Sequence, residues 1–396
     1  MKVVYCKLKD CCSKIGSGAT PTGGKNVYTD SGVSLIRSQN VYNLNFAYKG
    51  LAHINDDAAE KLRGVTVKEK DVLLNITGDS VARTCVVPND VLPARVNQHV
   101  AIIRPKQSLN SLYLNYYLAS PAMQGYLLNI ASTGASRNAI TKAAIEKLVV
   151  PVPEIGCQQQ IANVLSAYDN LIENNNKRIK TLEQMAENLY KEWFVRFHFP
   201  GHETTPFENG IPRGWSINRF DTAATLINGR AYLMPELLSE GKYRIVRVGN
   251  FSGKDEWFYS DMELESDKYC EQGDLLYKWA CNFGPEIWNE EKVIYHYHIW
   301  KVVPKNNVNK AYLYFYLKTS TPLWMGGTNG TAMVHITKES MEKKKMVVPP
   351  KSILDQFDNI VGPMIRNRLS LLKHNENLIK QRDLLLPRLM SGKLAV

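Results

Sequence analysis

The stretch NAITKAAIE, residues 138–146, recurs as VHITKESME, residues 334–342. Thr141 then corresponds to Thr337, an offset of 196 positions. Further pairs keep the same order at slowly changing offsets: LVVPVP (148–153) with MVVPPK (346–351), YLNYYL (113–118) with YLYFYL (312–317), NQHVAIIRPK (97–106) with HYHIWKVVPK (296–305), DVLLNI (71–76) with DLLYKW (274–279), and IRSQNV (36–41) with VRVGNF (246–251). Because a repeated segment order indicates duplication of a structural unit, the chain is predicted to contain two copies of one module.

Within each module, short β-rich runs alternate with Gly, Pro and Asn. In the first copy the clearest predicted strands are VSLIRSQNV (33–41), DVLLNIT (71–77), HVAIIRP (99–105) and KLVVPVP (147–153). Residues 113–130 predict helical structure with an aromatic face in the core. Each module is therefore expected to be a mixed α/β domain. Residues 42–70 and 79–96 have no convincing counterpart, and a common frame with different loops suggests readers of two different targets.

A long segment with helical periodicity follows each module. The apolar positions of the first recur with alternating spacings of four and three: Ile161, Leu165, Tyr168, Ile172, Ile179, Leu182, Ala186, Leu189 and Trp193, with Asn175 among them. The second has a poorer seam: Phe357, Val361, Met364, Leu371, Leu378, Leu385 and Leu389, interrupted by Arg368, Asn375 and Arg382. Since proline removes a helical hydrogen bond, Pro363 predicts a late start or a kink, and Pro387 an end or a bend.

Two amphipathic helices of this length need a partner, and an antiparallel pair formed by the two is the simplest arrangement. Asn175 would then meet Asn375. A buried asparagine pair can fix helix register, although each asparagine could instead face solvent.

The predicted fold class is α/β (α+β), with two similar mixed domains separated by two long antiparallel coiled-coil helices, a pseudo-twofold internal repeat. Residues 1–154 form the first recognition domain, 155–199 the first long helix as a spacer, 200–214 a linker rich in Pro and Gly, 215–350 the second recognition domain, and 351–396 the second long helix with the C-terminal tail.

Composition favours a soluble protein with a polyanionic partner. The 396 residues carry a formal charge of +11, and a basic excess favours binding to a phosphate backbone. The start MKVVYCKLKDCC has no long apolar core, and no apolar run approaches the length of a membrane span. We expect a cytoplasmic protein whose seven cysteines are reduced, since no Cys-x-x-Cys pair is present.

No catalytic constellation is recognisable, and the chain is expected not to be an enzyme. The segment ATPTGGKN (19–26) lacks the leading glycine and the following Ser or Thr of a phosphate loop. His198 and His202 are separated by Pro200 and Gly201, which prevent a helical metal-binding face, so no metal site is expected. Two interpretations of these features stay open beside that of a non-catalytic subunit: an enzyme with an unmarked site, and a two-headed DNA-binding regulator.

The pattern resembles the specificity (S) subunits of type I restriction-modification systems over essentially the whole chain. The segments that carry the resemblance are QQQIANVLSAYDNLIENNN (158–176), NGIPRGW (209–215), LLLPRLMSGKL (384–394) and the two strand ends VVPVP and VVPP. The resemblance implies that each domain reads one half of a split double-stranded DNA target and that the helices set the gap and dock two methyltransferase (M) subunits. Restriction (R) translocase-nuclease subunits would join the assembly. S-adenosylmethionine, ATP and Mg would bind in those partners, and no cofactor in this chain.

Residues with forked donors and acceptors are the candidates for DNA contact, because Arg pairs with guanine and Asn or Gln with adenine. In the first copy they are Arg37, Gln39, Asn40, Arg83, Arg95, Asn97, Gln98, Arg137 and Asn138. In the second copy they are Arg247, Asn250, Lys278, Asn282, Asn329 and His335. The Gly-containing loops around Arg137 and Asn329 are the favoured positions.

Overall fold

The structure is a computed structural model that describes residues 3–132, 139–252, 256–325 and 336–394. It divides into two compact units, Met1–Glu173 with Asn377–Val396, and Asn174–Glu376. Each unit holds one copy of the repeat together with a segment of each long helix.

The first unit contains thirteen strands in its described residues. They are β1 (Val3–Lys7), β2 (Cys12–Ser17), β3 (Tyr28–Thr29), β4 (Val33–Ile36), β5 (Val41–Tyr42), β6 (Asn45–Phe46), β7 (Ala52–Ile54), β8 (Thr66–Val67), β9 (Val72–Asn75), β10 (Thr84–Val86), β11 (Ala94–Val96), β12 (Val100–Pro105) and β13 (Val149–Pro153). Its helices begin with α1 (Leu8–Cys11), α2 (Asp56–Lys61), α3 (Ser111–Ala119), α4 (Pro121–Ser132) and α5 (Lys142–Lys147). The long helix α6 (Ile155–Tyr190) follows and closes with a π-turn at Lys191–Val195.

The second unit repeats this order. Its strands are β14 (Phe207–Glu208), β15 (Ile211–Pro212), β16 (Ser216–Arg219), β17 (Ala224–Asn228), β18 (Tyr243–Val246), β19 (Phe258–Ser260), β20 (Tyr269–Cys270), β21 (Leu275–Lys278), β22 (Gly284–Ile287), β23 (Val293–Tyr295), β24 (Ile299–Pro304) and β25 (Lys345–Val348). The helices are α7 (Phe220–Ala223), α8 (Lys310–Met325), α9 (Lys338–Glu342) and α10 (Lys351–Met390).

The sheets of the two domains have the same topology. A four-stranded sheet has the order β10-β9-β12-β2 in the first domain and β22-β21-β24-β17 in the second. A second sheet has the order β7-β4-β11-β8, extended by β3, against β19-β18-β23-β20. In both copies the middle pair of that second sheet is parallel and its flanking pairs are antiparallel. Two mixed α/β domains built on one repeated frame, as the sequence predicts, are therefore confirmed.

Two side-chain hydrogen bonds of the first domain recur at the equivalent places of the second domain. Thr141 caps α5 by accepting a hydrogen bond from the amide of Ala144, and Thr337 caps α9 in the same way. This explains why the ITK motif recurs, since a threonine hydroxyl satisfies an amide that the first helical turn leaves free. The hydroxyl of Tyr113 donates to the carbonyl of Pro151, and that of Tyr312 to the carbonyl of Val347.

The long helices pack against each other in antiparallel segments within each unit. In the second unit the Asn175 Nδ2 donates to Asn375 Oδ1 at 2.8 Å, and Glu183 pairs with Arg368. In the first unit Asp169 pairs with Arg382, where Nη1 and Oδ1 are 2.6 Å apart. Residue numbers rise along α6 as they fall along α10, as expected of an antiparallel pair.

The prediction of a late start at Pro363 is wrong, because α10 is helical from Lys351 onward. Pro363 lies on an exposed face, while its neighbour Val361 and Phe357 are completely buried in the core of the second unit. Burial of that first stretch offsets the loss of one backbone hydrogen bond. The helix also continues past Pro387 to Met390. Within the described residues, no helix is long and apolar enough to cross a membrane.

Candidate nucleic-acid interface

The same asparagine-closed turn follows the first strand of the parallel pair in each domain. The Asn40 Oδ1 accepts from the Arg37 backbone amide at 3.0 Å, and the Asn250 Oδ1 accepts from the Arg247 amide at 2.9 Å. The Nδ2 of Asn40 donates to the carbonyl of Ala47, as that of Asn250 donates to the carbonyl of Glu256. Asn40 is also completely buried. Its side-chain amide therefore stabilises the loop through hydrogen bonds to the backbone and does not face a DNA ligand.

Two side chains of the first of these turns bind the same backbone carbonyl group. Arg37 Nη2 and Gln39 Nε2 both donate to the carbonyl of Gly50, at 2.7 and 3.0 Å. Gln39 is exposed, and its Oε1 is free of this bond. The hydrogen bond to Gly50 holds the amide group of Gln39 in place. Its oxygen can then accept a hydrogen bond from the amino group of a base edge.

A groove in the first domain, which we call the reading groove, brings Gln39 and Arg83 together. Its volume is about 700 Å³, and its lining also includes Tyr42, Thr77 and His99. The guanidinium carbon of Arg83 lies 4.7 Å from the centre of the Tyr42 ring, a cation–π contact that fixes the direction of the arginine. Thr77 Oγ1 and His99 Nδ1 are 2.5 Å apart. The groove therefore combines the guanidinium of Arg83 and the carboxylate of Asp79 with neutral hydrogen-bonding groups, the kinds of group that direct base reading uses.

Three other candidates of the first domain lie outside the lining of the reading groove. Arg95 donates from Nε to the carbonyl of Ala59 at 3.0 Å, and burial lowers the pKa of its guanidinium. Asn97 is 9% exposed and accepts the amide of His99. Gln98 is exposed and accepts the hydroxyl of Thr20 at 2.5 Å. Of the three, only Gln98 presents its side chain to solvent.

The second domain has two exposed candidates and one buried one. The Arg247 guanidinium lies 4.9 Å from the centre of the Phe258 ring, and Asn282 donates to the Ser252 hydroxyl at 3.0 Å. Lys278 is only 4% exposed, and its ammonium pairs with Glu286 at 3.1 Å. A lysine used in this way stabilises the loop, so Lys278 is better assigned to the frame than to a DNA contact.

Sequence reasoning missed an aromatic cluster in the second domain. His296, Tyr297 and His298 form the turn before β24, and the Trp279 indole donates to the carbonyl of Tyr297 at 2.9 Å. Tyr297 is 38% exposed. Burial lowers the pKa of His296 to about 4, with His298 and Arg247 acting in the same direction, so that this ring is neutral at pH 7. The alignment of HYH with NQH of the first copy could have revealed these positions.

Four of the favoured candidates, Arg137, Asn138, Asn329 and His335, lie outside the described residues. The structure does describe Ala139 and Ile140, which follow Asn138 in the sequence. Ala139 bridges to Thr77, and the Ile140 amide donates to the carbonyl of Ile76 at 2.8 Å. Ala139 thus lies beside Thr77, a lining residue of the reading groove.

The described part of the chain contains no group of three or more His, Cys, Asp or Glu side chains that could hold a metal ion. The sequence-predicted absence of a metal site stays a prediction.

Comparison with known proteins identifies the repeated unit. The family model described as type I restriction modification DNA specificity domain matches residues 2–184 and 212–374. The chain is 25% identical over 421 residues to the type I restriction enzyme MjaIX specificity subunit of Methanocaldococcus jannaschii, covering 98% of this chain and 93% of that protein. It is 21% identical over 437 residues to the HindI specificity subunit of Haemophilus influenzae, covering 91% and 94%. The crystal structure of the type I restriction-modification system S subunit from M. genitalium has the same fold, with a TM-score of 0.63 at 12% identity, covering 98% of this chain and 96% of that one.

Proposed function

Since this chain belongs to the type I restriction-modification DNA specificity family and is a specificity subunit, we propose that each of its domains reads one half of a split DNA target. The observation that carries the proposal is the contrast between shared frame and different surface. Both domains have the same sheet order and the same asparagine-closed turn. One presents Gln39 and Arg83 in the reading groove, and the other exposes Tyr297, whose carbonyl accepts a hydrogen bond from the half-buried Trp279. Two copies that keep the scaffold and differ where bases would lie are expected to read different sequences.

The two long helices set the number of unread base pairs between the halves. Support for this comes from the polar contacts between α6 and α10, which involve Asp169, Asn175 and Glu183 on the first helix. Each contact specifies its partner by charge or by hydrogen bonding, so the helices have a defined register. A defined register gives a defined separation of the two reading surfaces.

We further propose that the chain is not catalytic and acts with partners. Two methyltransferase subunits dock on the helices, and restriction subunits with translocase and nuclease activity join them. S-adenosylmethionine, ATP and Mg then act in those partners, and double-stranded DNA is bound by this chain. The basic charge of +11 supports a DNA-bound role.

The test is a genome-wide map of methylated adenines in the host, with this gene present and deleted. We expect a two-part motif that loses its methylation on deletion. Replacement of Gln39 and Arg83 by Ala should relax the specificity of one half of that motif, whereas replacement of Trp279 and Tyr297 should affect only the other half. An unchanged methylation map after deletion, or relaxation of both halves by either pair, would contradict the proposal.

A further inference from the structure

A second groove lies in the first domain, at the far end of the strands that carry the reading groove. We call it the lysine groove. It has a volume of about 800 Å³, and Lys68, Lys70 and Lys106 line it together with Leu112 and Ile155. The reading groove adjoins the start of β12, and the lysine groove adjoins its end at Pro105. Six residues of strand separate them, on the order of 17 Å.

The lysine groove has a surplus of positive charge. Its lining has four basic residues, the three lysines and Arg104, against one acidic residue, Glu69. Arg104 is neutralised because it makes two hydrogen bonds of 2.7 Å to the buried carboxylate of Asp71. Lys106 donates to the Asp10 carbonyl at 2.7 Å, which holds its position without cancelling its charge. Lys68 and Lys70 are both exposed.

One wall of the lysine groove is apolar. Leu112 is 37% exposed and Ile155 is 50% exposed. They stand at the starts of α3 and α6, which Gln158 joins by accepting the Asn110 amide at 2.8 Å and donating to the Pro153 carbonyl. Gln158 is completely buried, so the wall is fixed. A phosphate backbone has no apolar groups that could pack against this wall, whereas a peptide can place apolar side chains on it.

The equivalent place in the second domain has the opposite character. The aspartate turn that holds Lys68 in the first domain holds Glu271 in the second, because Asp71 Oδ2 accepts the Lys68 amide as Asp274 Oδ2 accepts the Glu271 amide. Lys310 reaches across and donates to the Gly273 carbonyl. The second domain therefore has Glu271 and Gly273 in place of the lysine pair, and Lys310 bridges the turn and the start of the helix.

We propose that the lysine groove binds an acidic peptide segment of a partner protein, with apolar side chains between its carboxylates. The carboxylates pair with Lys68, Lys70 and Lys106, and the apolar side chains pack on Leu112 and Ile155. One such segment binds per chain, because the second domain has Glu271 at the position of Lys68. This interaction is independent of DNA reading, which takes place at the other end of the strands.

The test measures binding of the full chain to a fluorescein-labelled twelve-residue peptide, three copies of Glu-Leu-Glu-Gly, by fluorescence anisotropy. We expect saturable binding that is at least tenfold weaker for a peptide with Ser in place of Leu. The double variant Lys68→Glu, Lys70→Glu should lose at least tenfold in affinity for the leucine peptide. Its affinity for a 30-base-pair duplex carrying the methylated motif should stay unchanged.

A matched pair of single variants guards against general effects of charge. Lys106→Glu should weaken peptide binding, and Lys305→Glu should not, although Lys305 occupies the same place in the second domain and donates to the Asp221 carbonyl. Absence of peptide binding to the native chain at 1 mM would overturn the proposal, as would equal binding by native chain and double variant. Loss of duplex binding in the double variant would also overturn it, because the lysine groove would then be a DNA-binding surface. That outcome would not depend on whether the reading groove binds DNA.

Discussion

Replacement of Asn375 tests whether the polar residues in the helix seam act through specific pairing. Asn375 accepts from Asn175 at 2.8 Å and donates to Asn176 at 2.9 Å, and it is 7% exposed while Asn175 is 5% exposed. Asn375→Ala removes two hydrogen bonds, each with a net value of about 1 kcal/mol, and leaves the buried Asn175 amide unsatisfied. We expect a loss of about 2 to 3 kcal/mol in the free energy of unfolding of the second unit.

Simultaneous replacement by leucine should have the opposite result. In Asn175→Leu with Asn375→Leu, both partners become apolar groups of similar shape, and such an exchange is neutral or stabilising. For a unit of this size the Asn375→Ala loss corresponds to a decrease of about 4 to 12 °C in melting temperature. Thermal unfolding followed by circular dichroism measures it, with the exposed Asn367→Ala on the same helix and in the same unit as control. A double leucine variant as unstable as Asn375→Ala would show that shape, and not pairing, decides stability here.

Three further outcomes are expected. Arg83→Ala should cost about 1 to 3 kcal/mol of discrimination at one half-site, seen as methylation of near-match motifs, while the exposed Arg63→Ala leaves the motif unchanged. Gly18→Ala should destabilise the first domain, because the new Cβ would lie 2.0 Å from a backbone carbonyl oxygen; Gly16→Ala on the preceding strand, with nothing within 4 Å, is its control in the same unfolding measurement. His296 has a folded pKa of about 4 and an unfolded pKa of about 6.5. Protonation therefore favours the unfolded chain, and stability should decline as the pH falls from 6.5 to 4; His296→Asn should flatten that decline in unfolding measured across the pH range.

The strands and helices shared by the two domains could be predicted from the sequence, because the patterns that indicate them are local and occur twice. The predicted strands at 71–77, 99–105 and 147–153 appear as β9, β12 and β13, and residues 113–130 form α3 and α4 with a break at Ser120. Strand order was not predictable, because pairings such as β2 with β12 join residues far apart in the chain. The late start considered at Pro363 does not occur, since tertiary burial at Val361 outweighs a local preference.

The functional surface was less accessible, because residue type alone does not distinguish a polar group that builds a loop from one that faces outward. Asn40 and Lys278 have the chemistry of base-reading residues, yet both are buried and bound within their own domain. Gln39 lies one position from Asn40 and is exposed. No sequence pattern marked Tyr42, which lines the reading groove in the structure.

The three polar interruptions of α10 explain how an imperfect seam can specify one register. They lie seven residues apart, and Arg368, Asn375 and Arg382 contact Glu183, Asn176 and Asp169, which are also seven apart. A slip of one heptad in one direction would place Arg382 against Ala162, a completely buried residue, and Arg368 against Asn176. A slip in the other direction would place Arg368 against the buried Tyr190. Either slip places the half-buried Arg368 and Arg382 opposite uncharged residues and breaks both ion pairs between the helices, whereas an apolar seam would tolerate both. The seam with polar interruptions is therefore the more selective one, which suits the spacer role proposed for the two helices.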